Sequence, residues 1–149
     1  MRRMFLFAAA LLILTAPVLA TAADKRPHRI AIQVDQNDAA VMNLALNNAS
    51  NVIEYYRSKG EDVQVEIVAY GPGLNMLRED TSPVKDRIRQ IKDVSFPSDI
   101  KFAACNNTKE GMEKHEGHKI TIVPQAQIVP SGVVELMELQ ENGWSYVRP

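Results

Sequence analysis

Short stretches in which apolar and polar residues alternate are separated along the chain by segments with helical spacing. Alternation over residues 28–35 predicts a strand, because successive side chains of a strand point to opposite faces. Apolar residues then recur every three or four positions over residues 41–56, which predicts a helix that is stopped by Gly60. A strand followed by a long helix is therefore the first predicted unit.

The alternation of strands with helices continues towards the C-terminus. Further strands are predicted over residues 63–70, 100–104, 119–123 and 144–148. A short helical turn is predicted over residues 74–78, and longer helices over 82–91, 109–115 and 133–140. Strands that alternate with helices form parallel sheets covered on both faces, so the predicted fold is an α/β domain with a five-stranded, mainly parallel sheet.

Ligand sites of open α/β sheets lie at the carboxyl ends of the strands. With the predicted strands, this rule selects four loops. They are residues 35–38, 70–73, 105–108 and 123–125.

Cys105 is the sharpest candidate for chemistry in these loops. It follows a predicted strand directly and lies at the start of the next helix, where free N–H groups and the helix dipole favour a thiolate. Such a thiolate would attack a sulfur donor or hold a persulfide. The alternative is a small buried hydrophobic residue at the end of a strand, since unpaired cysteine is among the most buried residue types.

The turn Gly71-Pro72-Gly73 is a second candidate, for ligand binding. Glycines let the backbone approach a ligand closely, and a following helix offers N–H groups to an anion. The turn lacks the glycine spacing of dinucleotide and nucleoside-triphosphate loops. A tight turn between strand and helix remains the alternative.

His115, Glu116 and His118 are side chains of the types that bind metals. Gly117 is expected to end the helix between the two histidines, and no further His or Cys lies nearby in sequence. We therefore expect solvated side chains here and predict no metal site.

The amino-terminal segment predicts export. Arg2-Arg3 is followed by an apolar stretch over residues 5–14 and by small residues that fit a cleavage site after Ala22. Residues 1–22 are therefore predicted to be a signal peptide, residues 23–149 to be the mature domain, and the location to be periplasmic or secreted, with no membrane association after cleavage. The apolar stretch is short for a membrane span, which needs about 20 residues.

The amino-acid composition excludes several classes of protein and of site. The chain has 149 residues, of which 46% are apolar, so it has enough apolar residues for one folded core and is not a disordered chain. One Cys excludes an intramolecular disulfide and a cysteine-cluster zinc site. A formal net charge of −1 gives no reason to expect nucleic-acid binding.

Three segments resemble the DsrE/DsrF-like (YchN-like) family. They are VAYGPGL over residues 68–74, FAACNNT over residues 102–108, and VPSGVVEL over residues 129–136 with the Trp144-Ser145-Tyr146 tail. The resemblance implies a three-layer α/β/α domain that assembles as a homo-oligomer, often a trimer or hexamer. It also implies that Cys105 is the sulfur-carrying residue. By the same resemblance its surroundings are formed by Tyr70, Gly71, Gly73, Asn107 and Thr108. The predicted ligand-binding residues are these five together with Pro72 and Asn106.

The resemblance favours an exported sulfur-handling protein that binds or relays sulfane sulfur as a persulfide on Cys105. Its expected partners are sulfur-donor and sulfur-acceptor proteins, and it needs no cofactor. Whether it is a carrier alone or a sulfurtransferase stays open. Two alternatives remain: a small-ligand or metal-binding module, and an oligomeric interaction protein with a buried Cys105.

Overall fold

Five parallel strands form one sheet in the computed structural model, which describes residues 27–149. The strands are β1 (His28–Val34), β2 (Val63–Ala69), β3 (Asp99–Cys105), β4 (Ala126–Val129) and β5 (Ser145–Val147). Their order across the sheet is β4-β3-β2-β1-β5, and each neighbouring pair is parallel. The predicted α/β fold with a five-stranded parallel sheet is therefore confirmed.

The helices lie on the two faces as the strand order requires. They are α1 (Ala39–Ser58), a 3-10 helix (Gly71–Leu77), α2 (Lys85–Val94), α3 (Asn106–Glu116) and α4 (Gly132–Glu141). From β1 to β4 the chain steps across the sheet in one direction, and from β4 to β5 it returns. Because parallel crossovers are right-handed, α1, α2 and α3 lie on one face, here the α1 face, and α4 lies on the other, the α4 face.

The α1 face carries the main hydrophobic core. Met42, Leu46 and Ile53 of α1 are buried there, in one cluster with Ile32 and Phe102 of the sheet. The same cluster includes apolar residues of the 3-10 helix and of α2. Since hydrophobic stabilisation scales with the apolar area removed from water, this face contributes most of the folding free energy.

The α4 face has a much smaller core. Leu136 and Leu139 of α4 are buried there, and they pack on four small or branched residues of the sheet: Ala31, Val68, Ala103 and Val129. Tyr70 and Trp144 pack at the margin of this cluster. Among residues 27–149, α4 is the single helix on this face.

The strand predicted over residues 119–123 is wrong, and the fourth strand lies at Ala126–Val129. Residues 119–123 make only an isolated antiparallel bridge, between Ile122 and Arg78. Their apolar alternation has another cause: Ile120 is buried and Ile122 packs on the main core, while the Val123 N–H donates to the Leu77 carbonyl of the 3-10 helix at 2.9 Å. An alternating pattern thus reflects packing against a helix rather than strand pairing.

The predicted signal peptide, residues 1–22, lies outside the described residues. Within residues 27–149, no helix has the length and apolar character that crossing a bilayer requires.

Candidate functional site

Cys105 lies where β3 passes directly into α3. The helix begins at Asn106, three residues before the predicted start, because Cys105 itself caps it: the Cys105 sulfur accepts the Thr108 backbone N–H at 3.4 Å. The first turn of α3 therefore presents free N–H groups to the sulfur, as expected of a helix N-terminus. The predicted placement of Cys105 at a strand-to-helix junction is confirmed.

A second helix N-terminus meets the same sulfur. Cys105 pairs in register with Val129 of β4, and the chain then turns at Pro130 and Ser131 into α4. The Gly132 backbone N–H, at the start of α4, lies close enough to Cys105 to lower the pKa of the thiol. The sulfur thus lies between the N-termini of α3 and α4, where both helix dipoles favour negative charge.

The loop predicted at residues 123–125 is consequently misplaced. That segment precedes β4, so it lies at the amino end of the strand, and residues 130–132 occupy the carboxyl end beside Cys105. The contribution of Gly132 was missed for this reason. The signal that would have found it is Ser131-Gly132, a helix-start pattern directly before the predicted last helix.

Cys105 is buried and its thiolate is nevertheless favoured. The residue is 4% exposed, and burial by itself raises the pKa of the thiol. The Thr108 hydroxyl and the backbone N–H groups of Gly132, Thr108 and Asn107 outweigh burial, so the pKa of Cys105 lies below its ordinary value. The site holds a thiol that is both enclosed and prepared to carry negative charge.

Thr108 connects the glycine turn to the thiol. The Gly71 backbone N–H donates to Thr108 Oγ1 at 2.9 Å, and the Thr108 side chain lies close enough to Cys105 to lower the pKa of the thiol. An oxygen that accepts from Gly71 has its hydroxyl proton free to point at sulfur. Thr108 is therefore a positioning residue for Cys105.

The glycine turn itself packs tightly on the end of β1. A Cβ built on Gly73 would lie 2.2 Å from the Val34 carbonyl oxygen, so this position tolerates glycine alone. Gly71 has φ +52°, a left-handed conformation that also favours glycine. These features match the tight-turn interpretation of Gly71-Pro72-Gly73.

Tyr70 forms the wall of the site next to α4. A Cβ on Gly132 would lie 2.8 Å from the Tyr70 Cβ, so glycine at the start of α4 lets the helix approach the tyrosine. Burial, followed by the nearby Asp35 carboxylate, raises the pKa of the Tyr70 hydroxyl. Asp35 in turn pairs with Arg148 at 2.8 Å.

The remaining predicted ligand-binding residues divide into two groups. The Asn107 backbone N–H donates to the Pro130 carbonyl at 3.3 Å and lies close enough to Cys105 to lower the pKa of the thiol. Pro72 is exposed, and the Asn106 side chain turns away to donate to Glu110 Oε1 at 2.8 Å. Ligand binding by any of these residues stays a prediction.

The histidine segment forms an ion-pair network. The Arg78 guanidinium, which is buried, donates to both Glu116 oxygens at 2.6 and 2.8 Å, and His118 lies 3.4 Å from Glu116. Within residues 27–149 no three His, Cys, Asp or Glu side chains cluster as metal ligands. An open depression of about 580 Å³ lies beside His118, at the end of α3 remote from Cys105.

Comparison with known proteins assigns the chain to a family. The model of the DsrE/DsrF-like family matches residues 13–149. A solved structure, described as a protein of unknown function, MTH1491, from Methanobacterium thermoautotrophicum, is 28% identical with a TM-score of 0.66. The match covers 82% of this chain and 99% of that one. A search of curated proteins gave no significant match. Because the family model spans most of its length, the chain belongs to the DsrE/DsrF-like family.

Proposed function

We propose that the protein binds or relays sulfane sulfur as a persulfide on Cys105. The observation that carries this proposal is the convergence of two helix N-termini on the Cys105 sulfur. Membership of the DsrE/DsrF-like family, which suggests a protein of the sulfur-relay type, supports it.

The loading step is a thiolate exchange at sulfur. The Cys105 thiolate attacks the terminal sulfur of a hydropersulfide donor, R–S–SH, and a new Sγ–S bond forms. The donor S–S bond breaks, and RS⁻ leaves with the electron pair. The product is Cys105 S–SH, and no external oxidant, metal or organic cofactor takes part.

The surroundings of Cys105 suit the anionic form of that product. Ionisation of the persulfide places negative charge on the added sulfur, close to the N–H groups of Thr108 and Gly132. These donors are backbone groups fixed by the starts of two helices, so little reorganisation is needed when the charge forms. The Thr108 side chain adds to the groups that favour negative charge at Cys105.

Export and assembly form part of the same proposal. Residues 1–22 have the pattern of a signal peptide, which would place the carrier and its donor and acceptor proteins outside the cytoplasm. The outer face of α4 exposes Val133, Val134 and Met137, three apolar side chains that suit a homo-oligomeric contact.

Sulfur loading is tested by intact-mass measurement. The reduced protein and the Cys105→Ser variant are each incubated with inorganic polysulfide and desalted, and their intact masses are then measured. We expect the mass of one or more added sulfur atoms on the unaltered protein, reversed by a thiol reductant, and none on the variant. Equal loading of both proteins would refute Cys105 as the carrier. The Cys105→Ser variant counts as folded if its melting temperature lies within about 4 °C of that of the unaltered protein.

The second candidate is an interaction protein with an inert Cys105, and the low exposure of that residue favours it. In this case the thiol resists both polysulfide and alkylation until the protein unfolds, while the oligomer persists in Cys105→Ser. Loading of the folded protein would exclude this alternative.

A further inference from the structure

Glu66 is a buried carboxyl group in the middle of the α4 face. It is 3% exposed and lies on β2, opposite Ala31 of β1 and Lys101 of β3. Its Oε1 has no hydrogen-bond partner within the described part of the chain. Since an unpaired buried carboxylate is costly, the surroundings of Glu66 decide its protonation.

Glu135 of α4 is the group that faces it. The Glu135 carboxyl group lies close enough to Glu66 to raise its pKa, so the contact favours a state in which one of the two groups carries a proton. Two charges of β3 also act on Glu66: Lys101 favours its ionised form and Asp99 opposes it. Both side chains are about half exposed, so water screens part of their effect.

The same helix that holds Glu135 also covers Cys105. Gly132 lies three residues earlier in α4, against the Cys105 sulfur and the Tyr70 ring. A movement of α4 away from the sheet would therefore separate the carboxyl groups and uncover the thiol together. The small core beneath α4 offers limited resistance to such a movement.

We propose that the Glu66–Glu135 pair is a pH-sensitive contact that controls access to Cys105, with α4 as the element that moves. While one proton is shared, the pair holds α4 on the sheet and the thiol is enclosed. When the proton is lost, two carboxylates repel each other across the contact, and α4 lifts more often. This inference rests on the proposed function, because it describes how donors would reach the carrier thiol.

The direction of the pH effect follows from the burial of Glu66. Burial, and then the Glu135 carboxylate, raise the pKa of Glu66 to about 7 in the closed structure. Once α4 lifts, water solvates Glu66 and its pKa falls towards the ordinary value. The closed form therefore binds the proton more tightly than the open form. Its stability relative to the open form declines as pH rises from the ordinary pKa of Glu66 through about 7.

Alkylation of the folded protein measures this opening. Rates with iodoacetamide are compared between the unaltered protein and Glu66→Gln from about pH 5 to about pH 8, a range that begins above the ordinary pKa of Glu66 and passes through its raised pKa of about 7. The thiolate fraction of Cys105 changes equally in both proteins, so it cancels in the rate ratio. The amide that Glu66→Gln introduces cannot ionise and donates to Glu135, so this variant should stay closed.

We expect the ratio of unaltered to Glu66→Gln rates to rise about tenfold or more over that range. Glu135→Gln, which removes the facing charge and leaves Glu66 intact, should reduce the rise. Glu138→Gln, an exposed change on the same helix, should behave like the unaltered protein. A ratio independent of pH would overturn the proposal, and so would a Glu138→Gln variant that loses the pH dependence as fully as Glu66→Gln does.

The outcome is separable from that of the proposed function. Alkylation reports access to the thiol, whereas polysulfide loading reports sulfur chemistry. A pH-dependent ratio of alkylation rates without sulfur loading would support the pH-sensitive contact and refute the carrier function. Sulfur loading together with a rate ratio that does not change with pH would refute the pH-sensitive contact and support the carrier function.

Discussion

The two faces of the sheet differ in what they contain. The α1 face is covered by α1, α2, α3 and the 3-10 helix, and its core is built from large apolar residues such as Phe102 and Met42. The α4 face is covered by one described helix over a small core. Cys105, Glu66 and Tyr70 all lie on this thinner side.

This difference separates stability from chemistry. A large, well-packed core opens only with global unfolding, whereas a single helix on a small core opens locally at lower cost. A buried thiol that must react requires such local opening. Folding stability therefore resides mainly in the α1 face, and the α4 face controls access to Cys105.

The largest expected effect is on the α1 face. Phe102→Ala removes a fully buried ring from the main core and should cost about 3–5 kcal/mol of unfolding free energy. Urea denaturation measures this loss. A cost below about 1 kcal/mol would contradict the assignment of stability to this face.

The glycine turn sharpens the same comparison. Gly73→Ala places a Cβ against the Val34 carbonyl, a backbone group that cannot move aside, and should cost about 3 kcal/mol. Gly111→Ala is the matched control, because a Cβ there meets nothing within 4 Å and the residue lies inside α3. That control should be stabilised by up to about 1 kcal/mol. Thermal unfolding measures the change in stability of both variants. Equal changes in the two would be inconsistent with the close approach of Gly73 to Val34.

On the α4 face, Leu136→Ala should separate stability from access. Because the core beneath α4 is small, we expect the loss of unfolding free energy to lie near the lower end of the range for buried Leu→Ala substitutions, at about 2 kcal/mol. The same change should raise the alkylation rate of Cys105 in the folded protein, because α4 is held less firmly. Phe102→Ala, studied where it remains folded, is the control. If both variants raised the rate only in proportion to their loss of global stability, the comparison between the faces would fail.

The smallest effect is expected at Thr108. Thr108→Val removes a hydroxyl that lowers the pKa of Cys105, so the pKa of the thiol should rise and its pH–rate profile should move to higher pH. Near neutral pH, alkylation should slow by less than about tenfold. Thr108→Ser keeps the hydroxyl and should retain the original profile. Identical profiles for the two variants would exclude a role for the hydroxyl.

The sequence predicted the parallel sheet and the junction at Cys105, since alternating and helical spacings there were unambiguous. It misplaced the fourth strand, because residues 119–123 alternate for a different reason, burial against the 3-10 helix. That error hid the approach of Gly132 to Cys105. The meeting of Glu66 with Glu135 depends on tertiary packing between distant segments, and no local pattern indicates it.

The most direct test of the central claim is the intact mass of the protein isolated without reductant and alkylated at once. The account predicts a fraction that carries one or more extra sulfur atoms, lost on reduction and missing from Cys105→Ser. An unmodified thiol that resists both polysulfide and alkylation until the protein unfolds would contradict it, and Cys105 would then be a core residue.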